Sequence, residues 1–427
     1  MRTKLLYVCL DGVGDDPNPV LQDRTPLEAA ATPRLDELAR RGRTGTTITV
    51  GPGIAPESDI GVFGILGYDP TEEHPGRGIL EAMGIGMDVR DGDLAYRVNF
   101  ATRDGDRIVD RRVGRTLTNQ EAHALAGEVN EQLRLPGTTF QLSATVEHRG
   151  ALTMRADGPL SAAVTNTDPA YRREGHLGVA LETFDPVVLA ATPLEETEAA
   201  ARAATLTNAF VEGSSTILDA SPVNARRRDA GDLPANLILT RDAGDHLPHL
   251  EPIEERFGMR WGCFVEMPVE RGIAIALGMD TVDAPRLDPE GFGPAAEEAY
   301  ARWAHLAAGA LDGYQALYVH LKGPDVPAHD GRAEDKRDVI AAIDRAFFGE
   351  VLPRIDPTRT IVAVTGDHAT SCVRRAHTAD PVPLLVSGGP ITADGSTSFG
   401  ERACAQGSLG ELLGPGILPR LMELISA

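Results

Sequence analysis

The stretch Lys4-Leu5-Leu6-Tyr7-Val8-Cys9-Leu10-Asp11-Gly12-Val13-Gly14 decides the fold class. Lys4 to Leu10 is an almost unbroken apolar run, the pattern of a strand buried on both faces rather than half exposed. An aspartate and two glycines stop it. Downstream, Thr32 reads as an N-cap and Pro33 as the first helical residue, with Leu35, Leu38 and Ala39 at helical spacing and Gly42 closing the helix. A strand followed by a helix opens an α/β fold with parallel strands. The C-terminal third repeats this grammar: the pattern predicts strands over Ala316 to Leu321, Thr360 to Thr365 and Pro383 to Val386, and a long helix over Glu334 to Ile355.

The middle follows another pattern. Strand-like pieces (Tyr96 to Thr102, Thr138 to His148, Ala151 to Arg155) alternate with helical ones (Asn119 to Leu133, Leu194 to Glu212). This predicts an α+β unit over residues 89–234, inserted into an α/β core formed by 1–88 and 235–427. The core is expected to resume near Asn236-Leu237-Ile238-Leu239.

Composition narrows the function. The 427 residues carry 41 Lys plus Arg against 63 Asp plus Glu, a net charge of −22, which argues against a nucleic-acid or anionic-membrane surface. The longest uncharged run, Pro381 to Ala393, has 13 residues, short of the ~20 that span a bilayer. Met1-Arg2-Thr3-Lys4 leads straight into the first strand without a cleavage pattern, and the four cysteines (Cys9, Cys263, Cys372, Cys404) have no paired spacing. Both features lead us to expect a cytoplasmic protein with reduced thiols. Positive charge is almost all arginine; the lysines are Lys4, Lys322 and Lys336.

Open parallel sheets bind ligands beyond the carboxyl ends of their strands. Asp11 lies there after the first strand. Asp325 and His329 follow the 316–321 strand, Asp367 and His368 follow the 360–365 strand, and His377 lies on the next loop. Any one of these aspartates alone reads as a cap or turn. Together, three carboxylates and three imidazoles without thiolates suit Mn²⁺, Zn²⁺ or Mg²⁺, and are too many for one tetrahedral ion but suit two adjacent ions. Ser58, in Pro56-Glu57-Ser58-Asp59 before the apolar Ile60 to Leu66, is the candidate nucleophile. A serine at a helix N-terminus sits in positive potential, and a bound metal would stabilise its alkoxide.

These residues resemble a known family. Asp11-Gly12, Pro56-Glu57-Ser58-Asp59, Leu66-Gly67-Tyr68-Asp69-Pro70 and Gly76-Arg77-Gly78 are similar to the cofactor-independent (2,3-bisphosphoglycerate-independent) phosphoglycerate mutases of archaeal type, in the alkaline phosphatase superfamily. So are Val109 to Arg115, His320-Leu321-Lys322, Asp325 to Gly331 and Thr365-Gly366-Asp367-His368. The resemblance implies an alkaline-phosphatase-like core with a parallel-rich sheet and helices on both faces, plus the inserted α+β domain as substrate-binding unit and lid. It implies two divalent ions and no organic cofactor. Manganese is the usual ion in the relatives, with zinc and magnesium as alternatives. One ion would be held by Asp11, Ser58, Asp367 and His368, the other by Asp325, His329 and His377, and Lys322 would contact the phosphoryl oxygens.

The implied substrate is 3-phosphoglycerate, a small phosphorylated anion. It is expected to pass its phosphoryl group to Ser58 and receive it back on the neighbouring hydroxyl as 2-phosphoglycerate. Arginines grip such anions in bidentate geometry. The candidates are Arg111, Arg112 and Arg115, then Arg172 with Arg173, then Arg226 with Arg227 and Arg228; Asp168 is a candidate for binding the glycerate hydroxyls or for acid–base work. Two departures stand out. Thr165-Asn166-Thr167-Asp168-Pro169-Ala170 replaces the Ser-Asp-Thr-Asp-Pro-His common in the relatives, and Lys322 is followed by Gly323-Pro324 rather than Ala-Thr. They leave open a paralogue acting on another phosphorylated or phosphonate hydroxy acid, or a metal-dependent phosphatase.

Overall fold

The computed structural model describes residues 3–174, 177–181, 183–282, 284–287 and 293–426. The chain forms two compact units. The first comprises Met1–Glu73, Leu250–Met267 and Ala274–Ala427; the second comprises His74–His249 with Pro268–Ile273. Each has its own apolar core.

In the first unit the described residues form an eight-stranded sheet in the spatial order Asp280–Thr281, Trp261–Phe264, Ala316–Leu321, Lys4–Leu10, Thr360–Thr365, Val382–Gly388, Arg43–Ile48, Gly410–Leu413. Lys4–Leu10 sits in the middle and pairs in parallel with Ala316–Leu321 on one side and Thr360–Thr365 on the other. Val382–Gly388 runs antiparallel to both of its neighbours, and the sheet is otherwise parallel. All three central strands are buried along nearly their whole length. That burial is why their sequences read as continuous apolar runs.

The helix predicted from Thr32-Pro33 is present over Pro33–Arg41, but the Thr32 side chain makes no cap. Asp344 replaces it, accepting from the Arg34 and Leu35 amides at 3.1 and 2.8 Å. Burial outweighs these amides and raises the Asp344 carboxyl above its usual range. Asp344 also opens a π turn, Asp344–Phe348, where the helix Ala333–Ile343 stops being regular. The long helix expected over 334–355 is present as continuous helical backbone from Ala333 to Arg354, with the π turn inside it and a 3₁₀ turn at its end.

In the second unit, antiparallel strands run in the order Thr138–Ala144, Arg149–Ala156, Leu94–Asp104, with Leu237–Gly244 on the far side of Leu94–Asp104 and Arg107–Asp110 hairpinned to its end. Helices Asn119–Gln132 and Glu198–Ala220 bury Leu125, Val129, Phe210 and Leu218 in the same core. Leu237–Gly244, expected to reopen the α/β core, instead completes this sheet. Its eight residues are all buried, so its sequence carries no alternation to betray which sheet it joins.

The helix Ser58–Ile65 lies unusually close to the first unit's backbone. A Cβ at Gly64 would fall 2.0 Å from the Thr49 carbonyl oxygen, and one at Gly61 would fall 2.1 Å from that of Asp367. Glycine to alanine inside a helix ordinarily gains about 1 kcal/mol. Here the overlap with backbone reverses the sign. Gly64→Ala is expected to lower stability by ~1–3 kcal/mol in urea unfolding, the range of overpacked sites; an increase would contradict this packing.

Candidate metal centre and anion-binding cluster

The parallel register sets the site. Cys9 is level with His320 on one side and Thr365 on the other, so Asp11, Lys322 and Asp367 leave the sheet side by side. Gly12 adopts φ +60°, and its amide donates to Asp367 Oδ1 at 3.0 Å. A Cβ there would meet Thr370 Oγ1 at 2.6 Å and Asp325 Oδ1 at 2.9 Å, so the turn needs glycine for both reasons.

Asp11, Asp367 and His368 offer donor atoms within 4.8 Å of one another, as do Asp325, His368 and His377. His368 Nε2 lies 3.3 Å from Asp367 Oδ2, 3.7 Å from Asp11 Oδ1 and 3.2 Å from Ser58 Oγ. Asp325 and His329 open and close one short helix, Asp325–His329, and therefore share a face. Asp325 Oδ1 is 3.4 Å from His329 Nε2 and 3.5 Å from His377 Nε2. The structure thus brings together all seven predicted ligands, Asp11, Ser58, Asp325, His329, Asp367, His368 and His377, in the first unit. Lys322 Nζ stands 3.2 Å from Asp11 Oδ2.

The hydrogen bonds around these groups suit a cation. Thr370 has one hydroxyl proton and gives it to Asp325 Oδ1 at 2.7 Å. Its 3.0 Å contact with His368 Nδ1 must then be donated by the imidazole, which leaves the Nε2 lone pair facing the two carboxylates. His377 Nδ1 donates to the Pro56 carbonyl at 2.8 Å and His329 Nδ1 to the Arg375 carbonyl at 3.3 Å. All three rings are held by their outer nitrogen with Nε2 turned inward, the arrangement of metal-ligating histidines. Asp11 Oδ1 and Asp367 Oδ2 are buried without a hydrogen-bond partner, and the His329 and His377 Nε2 atoms lie 3.2 Å apart. Positive charge is required between these atoms, so the residues fit a divalent ion pair.

Electrostatics agree. Burial, then the charge of Asp11, pushes Asp367 up to about 7. Burial would raise Asp11 as well, but Lys322 and His320 hold it well below the usual carboxylate range. Burial opposes charge on His377, yet the Asp325 carboxylate outweighs it and lifts the ring to about 10. Burial and then His377 depress His368 to about 3. In the metal-free chain a proton therefore sits where a cation belongs.

Ser58 is the first residue of the helix Ser58–Ile65, its hydroxyl at the positive helix end. The close contact of Gly61 with Asp367 fixes that helix against the loop bearing Asp367 and His368. Sequence reasoning missed Gly61 and Thr370, and took His320 as part of a family motif without a role of its own. Thr370 pairs directly across the hairpin from His377. His320 is fully buried, with Nδ1 3.0 Å from the Tyr318 hydroxyl and Nε2 3.7 Å from Asp11 Oδ1. Its position, fifth in the apolar strand Ala316–Leu321, was the available signal.

The predicted arginines scatter more. Arg111 binds both oxygens of buried Asp168, at 2.8 and 2.5 Å, and stacks over Tyr171, whose ring also carries Arg241 at 3.6 Å. Asp168 is thereby committed to Arg111 and to the Ala170 amide. Arg226 and Arg172 are exposed. Arg227 is buried against Glu121, Thr116 and the Leu233 carbonyl, a fold-holding role. Arg112 and Arg115 belong to a cationic cluster with two arginines that sequence reasoning did not single out, Arg97 and Arg149. Burial and then the fields of Arg149, Arg112, Arg97 and Arg115 hold His148 neutral, with its pKa near 3. Burial, then Arg241 and Arg77, brings Arg97 down to about 9, and its Nε, short of a hydrogen bond, has the Glu81 carboxylate 3.8 Å away as counter-charge. Positive charge in such excess fits a small anion.

The model of the 2,3-bisphosphoglycerate-independent phosphoglycerate mutase family matches residues 39–224. The chain is 44% identical to the mutase of that name from Aeropyrum pernix over 99% of this chain and 100% of the relative. It is 38% identical to that from Methanopyrus kandleri, over 99% and 97%. Among solved structures it is similar to the cofactor-independent phosphoglycerate mutase of Thermoplasma acidophilum (33% identity, TM-score 0.65, 99% of this chain and 100% of that one). It is also similar to a Pyrococcus horikoshii protein (29% identity, TM-score 0.81, 100% and 98%).

The protonation pattern fixes the sign of a pH effect. Asp367, His329 and His377 all hold protons more tightly than usual in the metal-free chain, so metal uptake is expected to release protons near pH 7. Calorimetry of Mn²⁺ binding in buffers of different ionisation enthalpy should show this release, and affinity should rise from pH 6 to 8. Gly61→Ala is expected to leave Mn²⁺ binding measurable while lowering kcat by ~10²-fold through displacement of Ser58.

Proposed function

The chain belongs to the 2,3-bisphosphoglycerate-independent phosphoglycerate mutases and interconverts 3-phosphoglycerate and 2-phosphoglycerate; we propose that the phosphoryl group passes through Ser58. The observation that carries this reading is the Ser58 hydroxyl lying 3.2 Å from His368 Nε2, at a helix N-terminus beside a ring of inward-facing carboxylates and imidazoles. The family's metal dependence is met by two divalent ions, manganese by preference. Asp11, Ser58, Asp367 and His368 hold one, and Asp325, His329 and His377 hold the other. When bound, the ions supply positive charge that eases ionisation of the serine hydroxyl and offsets the charge of the transferring group.

The protein's own groups do the rest. Ser58 Oγ bonds to phosphorus as the bond from phosphorus to the glycerate 3-oxygen breaks, and the first-turn amides of its helix face the phosphoryl oxygens. Lys322, 3.2 Å from Asp11, is placed to neutralise those oxygens as they turn over. Glycerate stays bound and turns, and its 2-oxygen takes the phosphoryl group back from Ser58. A hydroxyl held in this way outcompetes water because its effective concentration reaches ~10⁵ M or more.

In this reading the second unit recognises the glycerate. Arg97, Arg112, Arg115 and Arg149 take its carboxylate, and Asp168 acts by holding Arg111 against Tyr171. Four buried free cysteines support action in the reducing cytoplasm.

The deciding assay supplies 3-phosphoglycerate and Mn²⁺ without bisphosphoglycerate and measures 2-phosphoglycerate and free phosphate in one tube. The mutase is expected to give 2-phosphoglycerate with little phosphate; phosphate as the main product would identify a phosphatase. Ser58→Ala is expected to cut turnover by ~10³-fold or more. Arg97→Ala is expected to raise KM by ~10- to 100-fold with a smaller change in kcat, the loss of one charge-assisted contact.

A further inference from the structure

Lys336 has a fully buried side chain, and the site described above makes no use of it. Its ammonium has three N–H donors, and each meets an acceptor: the Gly14 carbonyl at 3.0 Å, Asp15 Oδ2 at 2.9 Å and the Thr370 carbonyl at 2.8 Å. Those acceptors belong to two segments, the loop that begins with Asp11 and the hairpin strand Ala369–Ser371. Lys336 itself comes from a third, the helix Ala333–Ile343. Asp15, equally buried, reaches the hairpin with its other oxygen, accepting from the Cys372 amide at 2.9 Å.

The two segments meet along a continuous seam. The Thr370 amide donates to the Gly14 carbonyl at 2.9 Å, and Val13 and Gly14 both bridge to Ala369. A Cβ on Gly14 would come within 2.8 Å of the Ala369 Cβ. Ser371 Oγ and Arg374 Nε then bind Asp16 at 2.6 and 2.8 Å. One side of the seam carries Asp11, in the first donor group. The other carries Thr370, which orients His368 and Asp325, and its cross-strand neighbour His377. Asp367 and His368 of the first group lead into the same hairpin, so the seam fixes where Asp11 stands among the ligands of its own group and, through it, the spacing of the two groups.

We propose that Lys336 and Asp15 form a positioning pair that sets the separation of the two ion-binding groups by locking the Asp11 loop to the Thr370–His377 hairpin. The inference rests on the two-ion reading. Lysine suits the position because a compact ammonium satisfies acceptors on three sides, whereas a planar guanidinium spreads its donors.

The test uses the full-length chain, stripped of metal and titrated with Mn²⁺. Binding is followed by calorimetry, and the ions by low-temperature EPR, in which adjacent Mn²⁺ ions give an exchange-coupled spectrum and separated ones give six lines. Wild type is expected to bind two ions with a coupled spectrum. Lys336→Met is expected to stay folded by circular dichroism, to bind its weaker ion at least ~10-fold less tightly, and to show six-line signal at two equivalents. Lys336→Arg should not restore the coupling.

A coupled, wild-type spectrum with unchanged affinities in Lys336→Met, whatever its melting temperature, overturns the proposal. If that variant does not fold, the uncharged pair Asp15→Asn with Lys336→Met is measured in its place and judged by the same two outcomes. Failure of both to fold makes Lys336 a folding residue and also overturns the proposal. Wild type binding fewer than two ions overturns the two-ion reading and this inference together, whereas a coupled wild type with a coupled variant removes this inference alone.

Discussion

Everything in the first unit turns on the cost of placing carboxylates together out of water. Asp11 and Asp367 leave adjacent parallel strands almost completely buried, and Asp325 is brought in beside them. Like charges so placed cannot all ionise unless cations are supplied. Lys322 supplies one to Asp11, and protons on His377 and partly on Asp367 supply the remainder in the metal-free chain. Divalent ions replace those protons at higher charge. Protonation and metal affinity are therefore one electrostatic problem.

That problem was legible in the sequence because its ligands sit where an apolar strand ends, and strand ends are easy to find. Lys4–Leu10, Ala316–Leu321 and Thr360–Thr365 are read from their composition alone, and the residues after them follow. What was not legible depends on neighbours distant in the chain. Asp344 caps a helix some three hundred residues upstream, so Thr32 looked like the cap and the π turn inside the 334–355 helix stayed hidden. Thr370 matters because a hairpin sets it opposite His377, a pairing its own sequence does not announce. Leu237–Gly244 is buried throughout, so it carries no exposed face to say which sheet it joins. Clustered arginines were the visible ones, yet Arg111 and Arg227 are spent on Asp168 and Glu121, while Arg97 and Arg149 stand alone in adjoining strands.

At long range the net charge of −22 repels a phosphorylated acid. Distance resolves the conflict. Exposed charges more than ~8 Å away are screened at physiological ionic strength, whereas clustered groups act on a bound anion at close range. The second unit accordingly gathers Arg97, Arg112, Arg115 and Arg149 closely enough to keep His148 from taking a proton. Such a cluster is unfavourable without an anion, just as the first unit's carboxylates are unfavourable without cations. Each unit thus carries a charge imbalance of its own, with opposite sign.

The scarcity of lysine gains meaning in this setting. The chain uses arginine nearly everywhere, and two of its three lysines lie beside the paired carboxylate loops. Arginine would deliver the same charge, but its donors lie in one plane and its head is larger. Lys336 must satisfy two carbonyls and a carboxylate from a volume with no solvent, and each of its N–H groups is already assigned. Lys322 must reach Asp11 from the neighbouring strand end. In both places the size of the cation, more than its charge, is what the surrounding backbone permits.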